Sequence, residues 1–501
     1  MKMKNIIAFA GAVILMLASS CNKDYLDKNP LDKISGQTFW NNKLEVDMAV
    51  SGCYSRLYGS LLDYQRAYLD ALGDCTYNYW GFFNTENMVL GLFSKTSGGA
   101  PNDIWNTSYR GIAQCNFFLD NVDKAVTVDK SYLAIAKAEV QFLRAMFYFD
   151  LVNCFGEVPL YKTSPENAEA SKIARNPKAE VLAFIHADLD FAIANLPNDP
   201  YFKGHAVKGS AQGLKTRVLI TEKKWTETAA LAQQIMNSGI FSVYGDYEAM
   251  FLKKGQKNNP EIMFACEYLG PERYHSTYGM NIEYAKHIFL TKYLKNAFEC
   301  SDGLPITESP LYDPTNTFKN RDPRHNLIVR NPKGTDWLGH YPYDFYDVTG
   351  VQNRKYIDPT IQGNYVYNYL NDWNYILIRY SDILLMYAEA QNEVTGPNQS
   401  IYNAINAVRQ RTTINMPPVD QARYNSKDKL REYIQHERMV EFPMEGLRYF
   451  DLKRWNIAHI VLPKLTNPGG YPYVFEQKHY LWPIQQSEMD KNSNLVQTTG
   501  Y

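Results

Sequence analysis

Apolar residues recur at steps of three and four over much of this chain, the spacing of an amphipathic helix. Across 131–154, Leu133, Ala136, Val140, Leu143, Phe147, Leu151 and Cys154 form one unbroken stripe. Around 176–196, Asn176 suits an N-cap and Pro177 the first helical position, Val181, Ile185, Leu189 and Ala192 form the buried face, and Pro197 ends the run. From Ala206 to Gly239 the pattern is a helical hairpin. Leu214, Val218 and Leu219 mark its first helix, Lys223-Lys224 its turn, and Leu231, Ile235 and Met236 its second helix, closed by Gly239. The unit is 34 residues long, the tetratricopeptide period.

A second hairpin is predicted over 381–411. Ile383, Leu384, Tyr387 and Ala388 mark its first helix, Gly396-Pro397 break it, and Ser400 caps a second that carries Ile401, Ala404, Ile405 and Val408. Neither unit has the full Trp, Gly, Tyr and Pro pattern of a tetratricopeptide repeat, so these are degenerate repeats or two unrelated hairpins. Further helices are predicted at 44–60, 105–123, 286–298 and 428–441, and short strands at 261–266, 326–330 and 365–369. Long stretches about 61–104 and 240–375 carry dense aromatics among Gly, Asn and Pro. Loops of that length in a compact domain usually have a job.

The N-terminus stands outside this pattern. Lys2 and Lys4 precede an apolar run from Ile6 to Leu17, then the small residues Ala18-Ser19-Ser20, then Cys21. Such a run is too short to span a bilayer, which takes about 20 residues, and reads as an export signal. Residues 1–20 are therefore a signal peptide and Cys21 is the expected lipidation site, because small residues before Cys look like a bacterial lipobox. Residues 21–30 become a tether, and 31–501 one domain. Two or more acyl chains on Cys21 would anchor the protein stably to a membrane without embedding it.

With 52 Lys and Arg against 53 Asp and Glu, the chain lacks the basic footprint of a nucleic-acid binder. The unusual number is 14% aromatic residues, 38 of them Tyr; rings with a polar tip suit wet binding surfaces as well as cores. The six cysteines after Cys21 include no CxxC pair and no zinc spacing, and no essential disulfide is expected. No phosphate-binding glycine motif, GxSxG elbow or HExxH pair occurs. Paired carboxylates of a glycosidase meet in space and not in sequence. Glu437 and Glu441, four apart on a helix with Arg438, Arg448 and Arg454 nearby, read better as buried carboxylates paired with arginine.

The string Glu437-Arg438-Met439-Val440-Glu441-Phe442, followed by Glu445-Gly446-Leu447-Arg448-Tyr449-Phe450-Asp451-Leu452-Lys453-Arg454-Trp455, resembles the signature of the SusD/RagB family of outer-membrane nutrient-binding lipoproteins. Leu481-Trp482-Pro483-Ile484 with Glu488, Asn492 and Asn494-Leu495 resembles its terminus. Arg144-Ala145, Phe155-Gly156-Glu157-Val158-Pro159-Leu160, Asn320-Arg321-Asp322-Pro323-Arg324 and Arg379-Tyr380 extend the match over the mature chain. The resemblance implies a mostly α fold, four degenerate tetratricopeptide-like helical hairpins packed on a long-loop, ligand-binding half. It also implies a non-enzymatic, surface-exposed protein that needs no cofactor and hands an oligosaccharide to a SusC-like TonB-dependent transporter. A peptide or other nutrient is the alternative cargo, and a surface glycosidase the rival class.

A sugar ring offers an apolar C–H face for stacking and a fringe of hydroxyls for polar side chains. The segment Tyr77, Asn78, Tyr79, Trp80, Gly81, Phe82, Phe83 and Asn84 supplies both kinds of partner, and Trp80, flanked by tyrosines and asparagines, is the leading candidate. Tyr274 and Tyr278, in a stretch with Tyr268, Arg273, His275 and Tyr284, and Trp337 with Tyr341 and Tyr343, complete the candidates. Trp105 is expected in the core.

Overall fold

The computed structural model describes residues 39–275, 288–331, 349–358 and 371–501. The expected signal and tether, with Cys21, and the strand expected at 365–369 lie outside them.

The helices form where the periodicity places them. In the N-terminal half they are α1 (Lys43–Tyr54), α2 (Ala100–Asn121), α3 (Lys130–Phe155), α4 (Lys178–Asn195), α5 (Lys208–Thr221) and α6 (Trp225–Asn237). In the C-terminal half they are α7 (Tyr380–Thr395), α8 (Gln399–Arg409), α9 (Lys427–Glu441) and α10 (Arg448–Arg454). Side-chain caps start several of them: the Asp129 carboxylate accepts from Ser131 N and Tyr132 N at the head of α3, and Ser426 accepts from Lys429 N at the head of α9. The predicted stripe of α3 is buried along its whole length. In α6 the core face is Thr228, Ala229, Ala232 and Ile235, with Leu231 only half-buried.

Two expected caps shift. Asn398, two residues before Ser400, caps α8 by accepting from Ser400 N and Ile401 N. At α4 the cap position falls on Pro177, while the Asn176 side chain accepts from Leu160 N and donates to Glu180. The helix expected at 44–60 ends at Tyr54 and tightens into a 3₁₀ turn, Ser55–Leu57.

Consecutive helices pack on one another from α2 to α6, and α7 then packs against α6, α8 and α9, joining the two halves. The α2–α3 approach is close enough that a Cβ on Gly111 would meet the Phe147 ring at 2.4 Å. Two short antiparallel pairs cross the irregular half: β1 (Thr76–Asn78) with β3 (Ile288–Leu290), and β2 (Ile262–Cys266) with β4 (Tyr375–Arg379). They account for two differences from the sequence reading. Ile288-Phe289-Leu290 pair as β3, so the helix expected at 286–298 is confined to Lys292–Ala297. The strand expected at 326–330 is helix as far as Ile328, the end of Pro323–Ile328, because Asp322 caps that helix and Pro323 sits in its first turn, and Val329 then bridges Asn353 in antiparallel fashion.

Where the halves meet, a buried ionic network replaces hydrocarbon. Arg379, at the end of β4, donates to Glu261 (2.9 Å), Glu441 (2.7 Å) and Glu445 (2.8 Å). Arg411 binds Glu261 and Glu441; Arg324 binds Asp322, Glu437 and Glu441; Arg409 binds Glu437 and Glu299. Burial opposes the charge of Glu441, yet the guanidiniums of Arg379, Arg411 and Arg324 hold its carboxyl down to about 2. Glu437 and Glu441 are thus buried and arginine-paired, but their partners come from distant segments. Arg438 serves Asp382 and Asp451, Arg448 serves Asp74, and Arg454 serves Glu389 and Asp451.

Removing one member strands the others in a dry site. Glu441→Ala is expected to cost about 3–5 kcal/mol, read as a lower urea midpoint; an unchanged midpoint would show that the network is not a structural tie.

Candidate functional site

The most exposed part of the aromatic segment is a turn built by its buried part. β1 is sunk in the fold, in register with β3 so that Tyr77 faces Phe289. Beyond it the backbone becomes left-handed at Gly81 (φ 65°), Phe83 (φ 57°) and Asn84 (φ 57°) before the short helix Thr85–Val89. Glycine and asparagine tolerate this region, but an aromatic residue enters it only with strain, so Phe83 must be held by its surroundings. Asn78 does much of that holding: its amide donates to Phe82 O (2.7 Å) and to Thr85 Oγ1 (2.8 Å). Asn84 N donates back to Gly81 O (2.8 Å). A Cβ on Gly99, at the head of α2, would lie 2.3 Å from Phe83 O, so that glycine lets the turn dock.

The turn sorts the candidate residues. Trp80 is 51% exposed and Phe82 44%. Phe82 was in the aromatic segment but not among the named ligand candidates; its position after a turn-forming glycine is the signal that points to it. Tyr79 is half-buried and edge-on to both Trp80 (5.3 Å) and Phe289 (6.3 Å). Phe83 is half-buried on Tyr68, and Asn84 donates to Ser97 O and accepts from Asn87. Tyr77 and Asn78 need correcting as ligand contacts: both are buried, with Tyr77 Oη donating to Glu86 (2.9 Å), and they build the frame. Tyr274, 39% exposed, sits just beyond the Leu269–Arg273 bridge. Tyr278, Trp337, Tyr284, Tyr341 and Tyr343 lie outside the described residues.

Beneath both stretches runs a 3₁₀ segment, Tyr64–Leu72. Tyr68 supports Phe82 (5.8 Å) and Phe83 (5.4 Å), while Tyr64 packs against Tyr268 (6.4 Å) and His275 (5.3 Å). Burial lowers His275 to about 4, leaving a neutral ring that bonds Trp373 O. No sequence periodicity marks this segment; its C-terminal end is fixed by the distinctive C-terminal string. Asp70 accepts from Gly446 N and Arg448 N, and Arg448 grips Asp74 through paired 2.8 Å bonds. Trp105 is buried, as expected of a core residue. The six cysteines after Cys21 are free and buried. Among the described residues, no group of three His, Cys, Asp or Glu could hold a metal ion, and no helix is long and apolar enough to cross a membrane.

Two family models match the chain: the SusD family over residues 260–501, and the group described as starch-binding, associating with the outer membrane, over 24–220. The chain belongs to the SusD/RagB family. Similar proteins within it match end to end. A SusD-like protein of Formosa agariphila is 26% identical over 99% of this chain and 98% of its own. The crystal structure of a SusD-like carbohydrate-binding protein from Bacteroides fragilis superposes with a TM-score of 0.81 at 27% identity, covering 92% of this chain and 100% of that one. A laminarin-binding SusD-like protein shares the fold at a TM-score of 0.71 and 22% identity, over 92% of this chain and 100% of its own. The mostly α architecture is that of the family.

The frame carries a titratable tie of its own. Asp63 caps the 3₁₀ segment, accepting from Gln65 N (3.0 Å) and Gly59 N (2.6 Å). Burial pushes its carboxyl up to about 7. The folded state therefore holds this proton more tightly than the unfolded chain, whose carboxyl titrates at 3.8. The contribution of Asp63 to stability is greatest at acid pH and declines as pH rises from about 4 to 7. Asp63→Asn, which keeps an acceptor but cannot ionise, should gain melting temperature relative to the parent across that window. Parallel pH profiles would refute the assignment.

Proposed function

We propose that this protein is a non-catalytic, cell-surface glycan receptor. It is lipidated at Cys21, held at the outer membrane, and passes captured oligosaccharide to a SusC-like TonB-dependent transporter. The observation that carries the reading is the turn at 80–84, where Trp80 and Phe82 stand about half exposed on a strained backbone. An exposed ring pair held so firmly suits stacking on the C–H face of a sugar, because a preformed platform loses little entropy on binding. The carbohydrate-binding and laminarin-binding relatives, and the outer-membrane association of the family, support the same reading. The pairing of Glu437 and Glu441 with buried arginines also favours binding over hydrolysis, since these carboxylates are locked in the core.

Calorimetric titration against a panel of neutral glycans and a peptide pool tests this. Trp80→Ala should weaken glycan binding by about 1–3 kcal/mol, the size of a stacking platform measured on bases, with melting temperature unchanged. Heat released only with peptides, or hydrolysis of the glycan that disappears on changing one carboxylate, would overturn it.

A further inference from the structure

A second concavity shares this face's frame. Its walls come from the end of α1 and the 3₁₀ turn after it, from residues 202–205 ahead of α5, and from the chain that leaves β2 through Arg273; it encloses about 590 Å³. Phe202 lies 46% exposed in its wall. The Arg273 guanidinium, also in the lining, lies 3.8 Å above the Tyr58 ring. Arg273 is exposed and makes no ion pair among the described residues, so its fork of N–H donors is positioned by stacking alone.

The polar groups are likewise fixed by bonds made behind them. Tyr58 Oη donates to Glu267 O (2.8 Å) and accepts from Glu267 N (3.1 Å). The Glu267 carboxylate takes Tyr201 Oη on one oxygen (2.8 Å) and Asn374 Nδ2 on the other (2.5 Å), and each oxygen keeps a further lone pair. His205 Nδ1 meets Glu139 (2.8 Å), which Tyr54 Oη also binds (2.6 Å), and the second ring nitrogen makes no hydrogen bond among the described residues. A carboxylate, a guanidinium fork and an imidazole around an exposed ring match the alternating acceptors and donors of vicinal hydroxyls, beside a surface for the C–H face. Lys203, His205 and Arg273 line the cleft together with Glu267 and Glu272, a mixture of signs that suits an uncharged sugar better than an acidic one.

The cleft and the turn at 80–84 rest on the same 3₁₀ segment. Tyr58 packs on Tyr268 (5.4 Å) and Tyr268 on Tyr64 (6.4 Å), while Tyr68, on the same 3₁₀ segment as Tyr64, carries Phe82 (5.8 Å). We propose that the cleft of Tyr58, Phe202, His205, Glu267 and Arg273 is a second glycan subsite, one that takes a neutral pyranose of the oligosaccharide bound at Trp80. The proposal rests on the glycan-binding reading and extends it to residues that reading does not use.

The test titrates full-length protein with a length series of the neutral glycan that gives the strongest signal in the panel, with melting curves for every variant. Phe202→Ala and Arg273→Ala should each weaken the longer oligosaccharides about tenfold, which corresponds to about 1.4 kcal/mol. Trp80→Ala should keep weak binding of those oligosaccharides, and adding Phe202→Ala to it should abolish that remainder. Phe202→Trp, with a larger ring, should bind at least as well as the parent. Parental affinity in both cleft variants overturns the subsite, as does weakening that tracks a fall in melting temperature without rescue by Phe202→Trp. Complete loss of binding in Trp80→Ala alone overturns the subsite and leaves the Trp80 platform standing. In a parallel titration with uronate- and sulfate-bearing glycans, binding confined to these refutes the neutral assignment, and a parent that binds no glycan refutes both readings.

Discussion

The fold turns on a set of arginines and carboxylates taken out of water together. Arg379 is the hub: it comes from β4, faces Glu261 beside β2, and reaches Glu441 and Glu445 at the end of α9. Arg324 and Arg409 extend the same network through Glu437. Such a cluster is a weak source of net stability, because desolvation cancels much of the attraction. Its value is geometric: no member tolerates the loss of its partners, so segments far apart in sequence are held in one arrangement.

That arrangement reaches the surface by short steps. The chain that leaves α9 brings Gly446 and Arg448 to Asp70 and Asp74. These fix the 3₁₀ segment Tyr64–Leu72, whose tyrosines carry Phe82 and Phe83 on one side and Tyr268 and His275 on the other. The exposed rings are therefore mounted on the rigid interior. This is the condition under which a loop can bind a ligand without first being ordered.

The sequence exposed this design unevenly. Helices such as α3, α4 and α7 were legible because one apolar stripe decides them. β2 was legible as an unbroken apolar run, whereas β1 and β4 were not, because Tyr, Asn and Arg interrupt theirs. The helix Pro323–Ile328 was misread as a strand because its apolar residues outweighed the Asp322-Pro323 start signal. For the site, the sequence located the aromatic segment but not which rings point outward. Tyr77 and Asn78 stand beside Trp80, the leading candidate, as plausible contacts until pairing with β3 buries them. Phe202 and Glu267 gave no signal, since the cleft they line exists only when α1, the stretch before α5 and β2 come together.

The central claim is that exposed, rigidly mounted rings hold the cargo. A crystal structure of the protein with a bound neutral oligosaccharide tests it most directly. The account predicts a sugar ring lying flat on the Trp80 indole at van der Waals contact, about 4 Å, with the turn at 80–84 in its unliganded conformation. A sugar bound elsewhere while Trp80 stays uncovered, or a turn rebuilt around the ligand, would contradict it.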